Sequence, residues 1–178
     1  MDKQAILQIP NHSNIKQDLL QALSQKGIQA SLLEETDDIA EDQSILIVAF
    51  PEVQGDKNQI TQNILTDTFA IVKKFVQARM RKKSGQIIFL LAAEANGISH
   101  GKTSSQEQSF AWAIQGGMTG FAKTISKEYG KKGLSANCLY IDWDNVDLSQ
   151  IAHSIDLLSE ANTTISGQVL AIDGGKGI

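Results

Sequence analysis

The chain has 178 residues, 42% of them apolar and 20% charged, with a formal net charge of −4. That is enough chain for one substantial core, and too ordinary a composition for a disordered or fibrous class. The acidic balance leaves no basic footprint for nucleic acid, no apolar run reaches the ~18 residues of a membrane span, and the start MDKQAILQIP lacks a signal-peptide layout. The expectation is one cytoplasmic domain over residues 1–178.

Residues 4–9 (QAILQI) read as a strand that stops at Pro10-Asn11. Ser13 or Asn14 is placed to cap a helix carrying Ile15, Leu19, Leu20, Ala22 and Leu23 and ending at Gly27. A second strand at 28–33 completes a β-α-β unit, whose right-handed crossover sets the two strands side by side and parallel. Residues 34–43, EETDDIAEDQ, form an acidic connection too short for a full helix and strand. Then comes a near-continuous apolar run, 44–50 (SILIVAF), the pattern of a strand covered on both faces.

Residues 58–83 read as one long helix with two apolar stripes. Leu65, Phe69, Val72, Val76 and Met80 make one; Ile64, Ile71, Phe75 and Ala78 make the other. A surface helix needs one buried stripe, so two imply packing on the sheet and on another helix, such as one from a second subunit. The run Arg79-Met80-Arg81-Lys82-Lys83 reads as a basic last turn complementing the helix macrodipole rather than as a nucleic-acid patch. Residues 86–93 (QIIFLLAA) are the most apolar strand, and 96–107 a polar loop of small residues.

The helix at 109–130, SFAWAIQGGMTGFAKTISKEYG, carries Phe110, Ile114, Gly117, Phe121 and Ile125 on one face. Each mid-helix glycine costs roughly 1 kcal/mol against alanine, so a close backbone approach is expected at Gly116 and Gly117. A strand at 133–140, a loop at 142–147, a helix at 148–158 and a strand at 168–172 follow. Cys138, the only cysteine, falls in an apolar strand, which excludes an internal disulfide and reads as a buried inert thiol. His153 belongs on a helix surface with no metal-ligand partner at useful spacing, and Trp112 and Trp143 read as packing or interface residues. Strands alternating with helices predict an α/β fold: a Rossmann-like, doubly wound parallel sheet.

Three segments, SGQIIFLLAAEANG, GGMTGFAKTISKEYGKKGLSANCLYID and ISGQVLAIDGGKGI, resemble the short-chain dehydrogenase/reductase family, closest to its 3-oxoacyl-carrier-protein reductase branch. The resemblance is strong from about Ser44 onward and weaker over residues 4–33. It implies a nicotinamide cofactor held at a glycine-rich turn after the first strand, where glycines let backbone N–H groups meet the pyrophosphate. Here Pro10, Asn14 and Lys16 stand at the three glycine positions; His12 and Lys16 neutralising phosphates is the alternative reading. The family's Asn-Ala-Gly element is replaced by Ala49-Phe50-Pro51-Glu52.

The same resemblance places the catalytic serine at Ala92, the tyrosine at Ala111 and the lysine at Gln115. The helix asparagine falls on Ile64, with Asn63 one residue away. None of these replacements donates a proton near neutral pH. The family's third strand and its flanking helices are missing between Leu33 and Ser44, and the substrate lid is reduced to residues 142–147.

Loss of NAD(P) binding is therefore expected, with no catalytic, cofactor or metal residues to assign. The helices and last strand that make subunit contacts in the family look intact. The resemblance thus implies a dimer or tetramer, with itself or with a catalytically complete relative, through Phe69, Val72, Val76, Gly116, Gly117, Phe121, Ile125, Gln168 and Val169. Three alternatives stay open: a degraded paralogue without a role, residual NAD(P)H-dependent 3-oxoacyl reductase activity, and divergent chemistry at Glu94, His100, Asp142 or Asp144, all expected near the sheet's C-terminal edge.

Overall fold

Strand β1 (Lys3–Gln8) leads through helix α1 (Lys16–Gln25) into β2 (Ile28–Leu32), which lies parallel to it, with Gly27 turning the chain at φ +74°. The computed structural model describes residues 3–9, 13–33, 39–51, 56–96, 105–160 and 164–175. The expected cap by Ser13 or Asn14 does not form. Ile15 takes that position without a side-chain cap, because its own side chain packs against the apolar cluster below the helix.

Strand β3 (Ile45–Ala49) is followed by a helical run in three parts: α2 (Lys57–Thr61), a π-helical turn (Gln62–Thr66) and α3 (Asp67–Met80). Asp56 and Gln59 close a reciprocal capping box at its start. Strand β4 (Gly85–Ala92), a 3-10 turn (Ala93–Asn96), the long helix α4 (Gln106–Tyr129), β5 (Leu134–Ile141), α5 (Leu148–Leu158) and β6 (Val169–Ile172) complete the chain. Helix α4 starts three residues earlier than the apolar pattern suggests, since Ser105 and Gln108 form a second capping box.

All pairings are parallel, in the order β2-β1-β3-β4-β5-β6. This is the Rossmann-like doubly wound sheet expected, with β2 at its edge. No strand is described between β2 and β3; residues 34–38 of that connection lie outside the described residues. Every residue of β3, β4 and β5 is buried, as continuous apolar runs in central parallel strands require. One apolar cluster joins the sheet to α2, α3 and α4; the other joins its opposite face to α1 and α5.

The helical run 57–80 has one buried stripe rather than two: Ile60, Ile64, Thr68, Val72, Phe75, Val76 and Arg79. Members of both expected stripes divide between core and solvent: Ile64, Val72, Phe75 and Val76 are buried, while Leu65, Phe69 and Ala78 are exposed. Three expected interface residues are corrected here. Val72, Val76 and Ile125 are core residues, at most 6% exposed, because their helices turn that side onto the sheet. Phe69, Gly117 and Gln168 are exposed, while Gly116, Phe121 and Val169 are half-buried.

Arg79 is a second correction. Its guanidinium is not a solvated last-turn charge but lies buried, donating to Ser84 O at 2.7 Å, Glu41 O at 2.6 Å and Ser84 Oγ at 3.0 Å. It ties the end of α3 to the segment before β3. The macrodipole duty remains with exposed Arg81, Lys82 and Lys83, and Lys82 pairs with Glu41 at 2.9 Å.

Candidate functional site

In an open parallel sheet the ligand crevice lies beyond the C-terminal strand ends, where strand order reverses. Here that switch point is between β1 and β3, beside Ile9 and Phe50, with the ends of β4 and β5 adjoining. The turn residues Pro10, Asn11 and His12, as well as Glu52 and His100, lie outside the described residues.

The structure brings the expected catalytic positions together. Ala92 ends β4, and α4 crosses it so that Gln115 Oε1 accepts the Ala92 backbone N–H at 2.8 Å. Gln115 is 2% exposed, a neutral amide satisfying a buried backbone donor. One turn earlier, Ala111 is buried in the same apolar cluster as Phe50, Ile60, Ile64 and Leu91. The places assigned to a tyrosine and an asparagine, and Phe50 of the stretch that replaces the Asn-Ala-Gly element, are thus filled by apolar core. Asn63 does not rejoin the site: it is exposed, whereas Ile64 is fully buried.

Gly116 passes the 3-10 turn so closely that a Cβ there would stand 3.0 Å from Ala95 O. The close approach expected of both mid-helix glycines holds for Gly116 alone; nothing lies within 4 Å of the equivalent point on Gly117.

The carboxylates of this edge are spread out. Asp142, buried after β5, accepts from Asn145 Nδ2 on both oxygens, at 3.2 and 3.0 Å. Asp144 is exposed and Glu94 half-buried. Asp147 caps α5 through Ser149 N at 2.9 Å, and hydrogen bonding to the Ser149 side chain first, then to its backbone N–H, holds its carboxyl below the usual range. Among the described residues, no group of three His, Cys, Asp or Glu side chains is placed to hold a metal ion. Two buried polar atoms here lack a partner among the described residues, Gln8 Oε1 and Trp143 Nε1. They belong to opposite faces of the sheet, since Gln8 alternates with Leu7 while Trp143 packs with Leu7's cluster.

Farther along α4, Thr119 Oγ1 and Tyr140 OH share a hydrogen bond of 2.8 Å. Burial pushes the Cys138 thiol up to about 12, against smaller opposing effects of Thr119 and Lys123, so this cysteine is no nucleophile near neutral pH. His153 is exposed on α5, and Trp112 and Trp143 are half-buried. Among the described residues, no helix is long and apolar enough to cross a membrane.

No family model matches the chain. A 3-oxoacyl-[acyl-carrier-protein] reductase FabG of Chlamydia trachomatis is 28% identical over 131 residues, covering 60% of this chain and 49% of the relative. The chain thus matches about half the length of that curated relative. A short-chain dehydrogenase of Leptospira borgpetersenii, solved with bound NAD+, superposes with a TM-score of 0.79 at 14% identity, covering 100% of this chain and 94% of its own. A short-chain dehydrogenase/reductase family oxidoreductase of Burkholderia thailandensis gives 0.73 at 14% identity, over 99% and 93%. The chain has the short-chain dehydrogenase/reductase fold and resembles the 3-oxoacyl-reductase-like branch in sequence.

Proposed function

We propose that this chain, with the fold of the short-chain dehydrogenases/reductases, is a catalytically silent member of an assembly rather than a reductase. One observation carries the reading. The position where the resemblance puts a lysine holds Gln115, engaged with Ala92 N, while Ala111 and Ile64 fill the tyrosine and asparagine positions with apolar side chains. Proton donation to a carbonyl needs a group that holds and releases a proton near the working pH, and an amide and two alkyl groups have none.

The residues present do not fit a nicotinamide cofactor. Asn14 and Lys16 carry side chains where the pyrophosphate turn takes glycine, Ile15 starts α1 without a side-chain cap, and Phe50 is buried where the family uses a small, open element.

The assembly role rests on what remains exposed. Phe69 is 58% and Leu65 39% exposed on the solvent side of the 57–80 run. The Phe69 ring stands 6.0 Å from half-buried Phe121, which joins that side to α4. Large apolar side chains gathered on one helix pair mark a contact surface. The partner is a second copy or a catalytically complete relative in a mixed dimer or tetramer.

Two measurements test the reading. Millimolar NADH or NADPH should leave the melting temperature unchanged, because a ligand of the native state raises it; a clear rise overturns the cofactor argument. The protein should sediment as a dimer or larger, or co-purify with a full-length reductase of the same cell. A monomer that captures neither overturns the assembly role.

A further inference from the structure

The outer edge of β2 is chemically self-complementary. Lys3 N donates to Gly27 O and Leu33 N donates to Leu7 O, so Gly27 and Leu33 face β1. Backbone groups alternate sides along a strand, so Gln29 and Ser31 also face β1, while Ile28, Ala30 and Leu32 aim their N–H and C=O outward. Among the described residues no backbone hydrogen bond takes up those outward groups. The strand, IQASL, carries none of the Lys, Glu or Pro residues that blunt exposed edges.

We propose that this edge is a self-association surface, on which a second copy of the chain adds its own β2 antiparallel about a two-fold axis at Ala30. Two properties of the strand favour a second copy over an unrelated segment. The outward-bonding residues are symmetric about Ala30, so the axis sets Ala30 against Ala30 and Ile28 against Leu32, each a hydrogen-bonded pair. The side chains are symmetric as well: Ile28, Ala30 and Leu32 lie on one face and Gln29 and Ser31 on the other, so apolar meets apolar and polar meets polar. The two sheets become one continuous sheet. This surface is separate from the helix face that carries Phe69 and does not depend on it.

The test is a symmetric cross-link. Opposed residues of a hydrogen-bonded antiparallel pair have Cα atoms about 5.5 Å apart, within disulfide range. Ala30→Cys should form a covalent dimer under mild oxidation at micromolar concentration, while the parent chain, whose Cys138 is buried, and an exposed control, Gln150→Cys, should not. Dimer yield equal to the control overturns the proposal. A charge exchange guards against a fold effect. Gln29→Lys with Ser31→Lys sets lysine against lysine twice and should weaken self-association about tenfold, while Gln29→Lys with Ser31→Glu should restore it. Both pairs remove the same Ser31–Gln43 hydrogen bond, so equal behaviour of the two also overturns the proposal. Adding Phe69→Glu to the Ala30→Cys variant should leave its cross-link intact, so failure at the helix face and failure at this edge read out separately.

Discussion

Gln115 Oε1 and the backbone N–H of Ala92 are joined at 2.8 Å, linking the middle of α4 to the last residue of β4. A strand end next to a ligand crevice ordinarily leaves such a donor for water or ligand. Here a side chain of the fold itself takes it. Gln115→Ala should strand that buried donor and cost about 1–3 kcal/mol. Thermal melting reads this as roughly 2–4 °C for each kcal/mol in a chain of this size.

Reinstating the missing groups tests the other side of the argument. The triple variant Ala92→Ser, Ala111→Tyr, Gln115→Lys should show no NADPH-dependent reduction of a 3-oxoacyl thioester. On the proposed reading the proton donor then has no hydride donor beside it, because Asn14 and Lys16 still stand where the resemblance puts glycines. Measurable NADPH oxidation by the triple variant means the turn binds cofactor despite its side chains.

The two neighbouring glycines of α4 should respond oppositely. Gly117→Ala adds a methyl group into open space on an exposed helix and should stabilise the chain by about 0.5–1 kcal/mol. In Gly116→Ala the new Cβ stands 3.0 Å from Ala95 O, and strain against that backbone oxygen should cancel the gain. Equal stabilisation of both variants in urea melts contradicts the close approach.

Arg79→Ala should cost roughly 2 kcal/mol or more, because it removes three charge-assisted hydrogen bonds that tie the end of α3 to Ser84 and Glu41. Arg79→Lys should recover little of that, since an ammonium cannot reproduce the guanidinium fork. Arg81→Ala, exposed two residues on, should lie within about 0.5 kcal/mol of the parent. Urea midpoints of the three variants check the ranking.

Cys138 sets a pH dependence. Its thiol stays protonated up to about 12 in the folded chain, while the unfolded chain releases that proton in the ordinary thiol range near 8.5. The folded state therefore holds the extra proton in the window between. This contribution is fully present below the ordinary range and is lost as pH rises through the window. Cys138→Ala should flatten the fall in urea midpoint from about pH 8 to about pH 10. A thiol reagent should label the native parent no faster than the chain unfolds.

Much of the architecture is legible in the sequence because central parallel strands are covered on both faces. SILIVAF, QIIFLLAA and LSANCLYI announce themselves as continuous apolar or small-residue runs. Helix α5 is read to the residue, and the family resemblance marks Ala111 and Gln115 from the anchor Gly117–Phe121 and Ala92 from the strand QIIFLLAA. Less legible is the orientation of residues 57–80. Leu65 and Phe69 carry the same apolar signal as Ile64 and Val72, yet the first two are exposed and the others buried.

By itself the sequence determined the order of elements and the parallel sheet, since these follow from residue type and periodicity. Only the tertiary structure decided which apolar side chains stay uncovered, that Arg79 turns inward to hold carbonyl oxygens, and that Gln115 closes on Ala92 N. Each depends on what another segment places opposite: the sheet packed against Val72 and Val76, the carbonyl of Glu41, the open end of β4. A linear pattern carries the propensity of a residue but not the identity of its neighbour across the fold.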